Sequence, residues 1–160
     1  MIDITPLFAT VLLICFGLIC YSDLRWLIIP NTVNAIIMLT GLVYKYPKGA
    51  EAVLGALLFG IMVALLMWTI RQIHFRATGR VGLGLGDVKL AGAAAVWFSP
   101  LMFPLFLFLA SALALMFVVA FRIKSGALHQ KLPFGPFLAA SLIATWTLEL
   151  TFGPSLGSLL

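Results

Sequence analysis

Residues Ala50–Ile73 read AEAVLGALLFGIMVALLMWTIRQI, and only one glutamate near the start and one arginine near the end of this stretch carry a charge. A helix needs about 20 apolar residues to cross the hydrocarbon core of a bilayer, so the stretch predicts a membrane-spanning helix. The whole chain has this character, because 63% of its 160 residues are hydrophobic, 9% are charged and the mean hydropathy is +1.17. A soluble globular domain carries about a quarter charged residues, so that class is excluded.

The chain contains six apolar runs of this kind, which predict an all-α membrane protein, a polytopic bundle of six transmembrane helices. The fourth run is short and rich in alanine and glycine, so we expect it to be buried among the other helices, where small side chains allow close approach. The N-terminus lacks the basic region of a signal peptide, and we expect the first run to be a permanent helix. The runs are Thr5–Tyr21, Asn31–Tyr44, Ala50–Ile73, Val88–Phe98, Leu101–Phe121 and Phe134–Phe152.

The basic residues of the connecting segments predict the orientation of the bundle. If the first helix ends in the cytoplasm, eight cations fall on that side and two on the other, which is the positive-inside pattern. We therefore expect a multi-pass protein of the inner (plasma) membrane with both termini outside. The same pattern explains the net charge of +5, so anionic lipids and not nucleic acid are the expected partners. The cytoplasmic set is Arg25, Arg71, Arg76, Arg80, Lys89, Arg122, Lys124 and Lys131, and the outer set is Lys45 and Lys48.

Two acidic residues, Asp23 and Asp87, fall at the expected cytoplasmic face, each where an apolar run meets a basic segment. The chain has three other acids, Asp3, Glu51 and Glu149, and Glu149 is expected to snorkel to the opposite face. Carboxylates at a membrane edge are costly and mark functional sites. Two of them on one face indicate aspartyl proteolysis, in which one carboxylate activates water while its protonated partner polarises the scissile carbonyl.

Each aspartate alone also has a structural interpretation. Asp87 precedes a predicted helix and is suited to be its N-cap, and Asp23 is suited to end the first helix. The helix dipoles predict that Asp87 is the more acidic partner and that Asp23 holds the shared proton. Glycines beside Asp87 allow a peptide backbone to approach closely.

No other catalytic or metal-binding group is indicated. Cys15 and Cys20 lie inside the first apolar run without CxxC spacing, and we expect them to be packing residues. His74 and His129 lie in basic segments and are expected to be solvated. We therefore predict no metal and no organic cofactor.

Three segments carry a resemblance to a known family. DLRWLIIPN (Asp23–Asn31) resembles the D-x5-I-P-N segment of the prepilin peptidases, also called type IV leader peptidases. GLGDVKL (residues 84–90) is similar to their GxGDxKL motif, and PFGPF (residues 133–137) is similar to their proline-rich third segment. The resemblance implies a GxGD aspartyl protease, grouped with presenilin and signal peptide peptidase, in which Asp23 and Asp87 are the catalytic pair. The substrate-binding or active-site loop residues that it implies are Gly84, Gly86, Lys89, Pro30, Asn31, Pro133, Gly135 and Pro136.

The resemblance implies that residues 1–160 form one transmembrane peptidase domain, which removes the leader from type IV prepilin-like or pseudopilin precursors at the cytoplasmic face. Such precursors have a basic leader, a glycine before the cut and an apolar helix after it. The chain is similar to the short form of tight-adherence pilus systems, which lacks the N-terminal region with paired CxxC motifs. We therefore expect no methyltransferase activity.

The other motif residues have both structural and functional interpretations. Pro30 suits the first turn of the second helix, and Asn31 would either cap that turn or orient Asp23. Pro133 and Pro136 are expected to fix the start of the last helix. Lys89 is expected to snorkel or to contact an acidic substrate residue.

Two alternative functions stay open at the level of sequence. One is a GxGD protease with another substrate, such as an archaellin precursor or signal peptides. The other is a non-enzymatic subunit for transport or secretion assembly, although coupling sites of transporters usually lie at the bilayer midplane and neither aspartate does. Cleavage of a model precursor by the wild type, but not by either Asp→Asn variant, would distinguish a prepilin peptidase from both alternatives.

Overall fold

The computed structural model describes residues 5–80, 82–125 and 133–156, which form an all-α membrane protein with six α-helices. Short 3₁₀ turns follow α2 (Tyr46–Lys48) and precede α5 (Pro100–Met102). His129 and Lys131 lie outside the described residues, as do the side chains of Arg122 and Lys124. The helices are α1 (Thr5–Trp26), α2 (Asn31–Lys45), α3 (Ala50–Thr78), α4 (Leu85–Ala95), α5 (Phe103–Ser125) and α6 (Gly135–Leu156).

Three stretches are long and apolar enough to cross a membrane, namely Thr5–Trp26, Ala50–Thr78 and Pro100–Ala120. All six helices overlap the predicted apolar runs, and each extends beyond its run at one end. Because α1 continues to Trp26, Asp23 lies in its last turn. Because α3 continues to Thr78, most of the basic segment before Arg80 is helical, whereas the sequence suggested a loop.

The short helix α4 lies at the centre of the bundle, where it packs against α2, α3 and α6. All of Leu90–Ala95 is buried, and so are Val96–Phe98, which follow the helix. A side-chain carbon added at Gly92 would lie 2.9 Å from the carbonyl oxygen of Gly60, and one added at Gly60 would lie 2.8 Å from that of Gly92. The predicted burial of the small residues is confirmed, and it lets the α3 and α4 backbones meet directly.

An aromatic cluster closes the end of the bundle that is opposite to Asp23. The indole of Trp97 stacks on Tyr44 with ring centroids 5.7 Å apart, and it meets Trp146 edge to face at 5.4 Å. Its Nε1 donates to the carbonyl oxygen of Ile37 at 2.9 Å. A side-chain carbon at Gly41 would lie 2.8 Å from this Nε1, so glycine is needed there for α2 to accept the indole.

Glu149 lies toward the end of the bundle opposite the two aspartates, as expected, but its carboxylate also has a partner that the sequence did not predict. Its Oε2 accepts a hydrogen bond from the backbone N–H of Ser99 at 2.8 Å. Ser99 precedes the 3₁₀ turn that leads into α5, so the carboxylate ties this connection to α6. A charge-assisted hydrogen bond of this type is roughly twice as strong as a neutral one.

The contact between α3 and α4 gives a test of this packing. Replacing Gly60 with alanine is expected to lower the melting temperature in detergent, because the added methyl group meets the Gly92 carbonyl oxygen; overpacking of this kind costs about 1–3 kcal/mol. The matched control is Gly55→Ala in the same helix, where an added carbon meets no atom within 4 Å. An equal effect of both substitutions on the melting temperature would show that helix propensity, and not the interhelical contact, is decisive.

Candidate active site

The end of α1 is shaped by a residue in the left-handed conformation. Leu27 has φ 54°, and among the described residues it is the one non-glycine with a positive φ. Its N–H donates to the carbonyl oxygen of Asp23 at 3.0 Å, and the hydroxyl of Ser22 donates to the carbonyl oxygen of Ile28 at 2.6 Å. The chain thereby folds back at the end of α1. A left-handed leucine costs roughly 1–2 kcal/mol, and such strain clusters at functional sites.

The carboxylate of Asp23 is held by the first residue of α6. Asp23 is 5% exposed, and its Oδ2 accepts a hydrogen bond from the Gly135 N–H at 2.8 Å. The first N–H groups of a helix have no partner within the helix, and the helix dipole favours a negative charge beside them. The interaction therefore brings the PFGPF segment to Asp23, although the two residues are 112 positions apart.

The side chain of Ile29 lies between two glycines of the other motifs. A side-chain carbon at Gly135 would lie 2.8 Å from Oδ2 of Asp23 and 2.9 Å from Cδ1 of Ile29. One at Gly86 would lie 3.0 Å from Cβ of Ile29. Both glycines are therefore required by close packing, and Ile29 joins the segments that precede α2, α4 and α6.

Asp87 is the third residue of α4 and does not occupy its N-cap. The N-cap is Gly84, where the chain has no side-chain cap. The carboxylate of Asp87 turns back and accepts a hydrogen bond from the Gly84 N–H. A side-chain carbon at Gly84 would lie 2.8 Å from Oδ2 of Asp87. The segment of residues 82–86, called the glycine loop below, therefore shapes the position of the carboxylate directly.

The two carboxylates interact electrostatically. Burial and, second, the charge of Asp23 raise the pKa of Asp87 to about 6, while the Gly84 N–H opposes the shift. The positive end of α4 was expected to make Asp87 acidic, but burial outweighs the dipole here. Two like charges in such a site favour a shared proton. The sequence predicted that Asp23 and Asp87 act as a pair, and the charge of Asp23 does act on Asp87; the membrane face on which they lie stays a prediction.

In the part of the chain that the structure describes, no cation pairs with either aspartate. Lys89 instead donates from Nζ to Oδ1 of Asn31 at 2.8 Å. Arg71 donates from Nε to the carbonyl oxygen of Leu83 at 3.0 Å, which fastens the glycine loop to α3. The site is therefore held by backbone N–H groups, and its two acids keep the charge repulsion that promotes proton sharing.

The other motif residues have structural positions that differ in part from the expectations. Pro30 is the N-cap of α2 and precedes its first turn; its carbonyl oxygen accepts from the N–H groups of Val33 and Asn34. Asn31 neither caps that turn nor reaches Asp23, because its side chain binds Lys89. Lys89 therefore does more than snorkel.

The proline residues of the third motif lie where they were expected. Pro133 precedes α6, which begins at Gly135, and Pro136 is its second residue. A proline in the first turn costs no hydrogen bond and presets the backbone for a helix. Both prolines are therefore placed to fix the start of α6, whose N–H holds Asp23.

Sequence reasoning missed Ile29, Arg71 and Asn34. Asn34 is 6% exposed, and neither its Oδ1 nor its Nδ2 has a partner among the described residues. It lines a cavity of about 320 Å³ between α2, α3 and α4, whose mouth contains Asn31 and Lys89. The spacing of Asn31 and Asn34, three positions apart on one helix, is the sequence signal that would have revealed a shared polar face.

The described residues contain no group of three His, Cys, Asp or Glu side chains that would hold a metal ion. His74 lies exposed on α3, where Gly82 packs closely against its imidazole. The thiols of Cys15 and Cys20 are free and lie within α1.

A comparison with protein families identifies the chain. The sequence profile of the Type IV leader peptidase family matches residues 10–119, which include both aspartates. The chain belongs to the type IV leader peptidase family. This membership agrees with the resemblance found in the three motifs, the last of which lies beyond the matched residues. No solved structure matches the chain.

Curated relatives in the type IV leader peptidase family are named prepilin leader peptidase/N-methyltransferase. The Dichelobacter nodosus protein is 35% identical over 101 residues, which cover 62% of this chain and 33% of the relative. The Pseudomonas putida protein is 36% identical over 97 residues, covering 60% and 31%. The Pseudomonas aeruginosa protein is 30% identical over 139 residues, covering 84% and 47%. The chain thus spans less than half the length of each of these relatives.

The electrostatic coupling of the two carboxylates predicts a shift in one of them. Replacing Asp23 with asparagine is expected to lower the pKa of Asp87 from about 6, because a neighbouring negative charge is removed. The pKa stays above the ordinary value of 3.8, because burial is the larger cause. Infrared titration of the carboxyl band in isotope-labelled protein measures it. Glu51→Gln, an exposed acid at the start of α3, is the control and leaves the titration unchanged. An unshifted Asp87 in the Asp23 variant would mean that the acids are not coupled.

Proposed function

We propose that this chain is a membrane-embedded aspartyl endopeptidase that removes the leader peptide from type IV prepilin-like precursors, with Asp23 and Asp87 as its catalytic pair. The observation that carries the proposal is the convergence of three distant motifs: Asp23 from α1 meets Gly135 of α6, and its charge acts on Asp87 of α4. Membership of the leader peptidase family supports the same conclusion.

The two carboxylates have surroundings that suit different roles. Asp23 is buried and accepts the Gly135 N–H, which fixes the orientation of its carboxylate. Asp87 has its pKa raised to about 6 and holds a proton more readily than an ordinary aspartate. We assign Asp23 as the base that activates water and Asp87 as the acid that polarises the scissile carbonyl. One proton on the pair is sufficient, and the roles exchange as the leaving amine takes up a proton.

The proposed site lies at the cytoplasmic face, with both termini outside, as the distribution of basic residues predicts. Residues 1–160 act as one peptidase domain, because α4 packs against α2, α3 and α6, and α6 packs in turn against α1 and α5. The absence of methyltransferase activity stays a prediction, since the relatives' names include both activities and the chain matches only part of their length.

The cavity beside α4 is the proposed binding place for the apolar helix that follows the cut. It begins at the Lys89–Asn31 pair, two residues beyond Asp87 along α4, and continues between α2 and α3 along small residues such as Gly92. A substrate must unwind at the cut, because a helical backbone hides its carbonyl groups in hydrogen bonds. The unpartnered amide of Asn34 offers both a donor and an acceptor to the backbone groups that unwinding leaves free.

The catalytic assignment predicts the effect of neutralising each acid. Asp23→Asn and Asp87→Asn are each expected to reduce cleavage by about 10²-fold to 10⁴-fold or more, the contribution of general acid–base catalysis. The measurement is mass spectrometry of a synthetic precursor with a basic leader, a glycine and an apolar helix. Glu51→Gln removes an exposed acid from α3 and is expected to retain full activity. Full cleavage by either aspartate variant refutes the aspartyl mechanism, and cleavage by no form of the chain favours an assembly or transport subunit.

If the cavity beside α4 binds the substrate helix, a change in the cavity should alter substrate binding but not the chemical step. Asn34→Leu is expected to raise KM for the membrane-anchored precursor with little change in kcat, because Asn34 contacts the substrate but not the reacting atoms. The melting temperature should not fall, since leucine relieves the desolvation of an unpartnered amide, which costs about 1–3 kcal/mol. A soluble peptide that spans the cut but lacks the apolar helix is the matched control and should be cleaved equally by both forms. An unchanged KM for the anchored precursor excludes the cavity as the binding place of the apolar helix.

A further inference from the structure

A second cavity lies at the opposite end of the bundle from the two aspartates. Its volume is about 310 Å³, within the range of small-ligand sites. It opens where α2 ends, beside the segment that follows α4 and the later turns of α6. Its lining is aromatic and charged, and consists of Tyr44, Lys45, Lys48, Trp97, Trp146, Glu149 and Leu150.

The cavity contains a buried ammonium group without a hydrogen-bond partner. Lys45 is 8% exposed, and within the described chain its Nζ makes no hydrogen bond and no ion pair. The Nζ of Lys45 lies over the face of Tyr44, 5.9 Å from the ring centroid, and the Nζ of Lys48 lies 5.8 Å from the same centroid. Glu149 lies close enough to interact electrostatically with Lys45. Two cations therefore converge on one ring with a single carboxylate beside them, and this excess of positive charge favours an anionic occupant.

A neutral donor also lacks a partner in this cavity. Trp146 is 2% exposed, and its Nε1 has no acceptor among the described residues. The neighbouring indole of Trp97, by contrast, donates to the carbonyl oxygen of Ile37. Buried indole N–H groups normally find an acceptor, so this donor indicates a group that the cavity is built to receive.

The charges of the cavity limit the ligand further. Glu149 lines the cavity as well, but its Oε2 is already engaged by the Ser99 N–H. The two lysines and the one carboxylate sum to a single positive charge. A singly charged anion therefore neutralises the site, whereas a doubly charged phosphate monoester leaves an excess negative charge.

We propose that this cavity binds a phosphodiester monoanion, which accepts hydrogen bonds from Lys45, Lys48 and Trp146. Its source is the headgroup of an anionic phospholipid such as phosphatidylglycerol. The cavity lies at one end of helices that cross the membrane, and its walls are the tyrosine and tryptophan side chains typical of the membrane–water interface. The lipid anchors the end of the bundle where α2 and α6 meet.

The test is native mass spectrometry of the full chain in a neutral detergent, titrated with dioleoylphosphatidylglycerol or, as the zwitterionic control, dioleoylphosphatidylcholine. We expect one phosphatidylglycerol to be retained selectively. Lys45→Gln should weaken its retention by about tenfold or more, and Trp146→Phe by about threefold to tenfold, as the loss of a charged and a neutral hydrogen bond predicts. Arg76→Gln removes an exposed cation from the other end of α3 and should not change the binding of this lipid.

The water-soluble headgroup glycerophosphoglycerol separates the two sources of the ligand. Retention of the lipid alone supports a membrane lipid, and equally tight binding of the soluble headgroup supports a phosphodiester from solution. In either case, Lys45→Gln must weaken the binding. If both variants bind phosphatidylglycerol as the wild type does, the site is overturned. Trp146→Phe keeps the ring in the aromatic cluster, so the test does not depend on whether the lysine variant folds.

Discussion

The hydrogen bond from the Gly135 N–H to Oδ2 of Asp23 links folding to the candidate chemistry. It satisfies an N–H that the start of α6 leaves without a partner, and it fixes the carboxylate that the proposed mechanism needs. The contact is possible only because the residue is glycine, since any side chain would collide with Asp23 and Ile29. The same atoms therefore stabilise the junction of α1 with α6 and orient an acid. Substitution here would change stability and activity together.

The burial of α4 is the second constraint, and it explains why Asp87 is not an ordinary helix-start residue. A carboxylate in the first turn of an exposed helix is stabilised in its charged form by the dipole. Here the helix enters the centre of the bundle, and removal of water from Asp87 outweighs that effect. Small residues such as Gly92, which meets Gly60, allow α4 to enter the centre of the bundle.

Much of this arrangement was predictable from sequence, because it depends on hydropathy and local backbone preferences. The apolar runs gave the six helices, and the small residues of the fourth run gave its burial. The distribution of charge placed Asp23 and Asp87 at the same end of the bundle, where the charge of Asp23 acts on Asp87. Contacts between distant segments were not predictable, because they depend on which side chains meet after folding. Three contacts are of this kind: the hydrogen bond from Lys89 to Asn31, the hydrogen bond from the Ser99 N–H to Glu149, and the packing of Ile29 between Gly86 and Gly135.

Tertiary contacts also determine which partners the cations near the site bind. A lysine or arginine beside the two aspartates would stabilise both as anions, and neither would then keep a proton at neutral pH. The segments on either side of Asp87 do carry such residues. Lys89 is occupied by the amide of Asn31, and Arg71 by the carbonyl oxygen of Leu83. These contacts hold the positive charges on α2 and on the glycine loop. Among the described residues, the partners of the carboxylates are backbone N–H groups, which orient them without removing the repulsion that makes them share a proton.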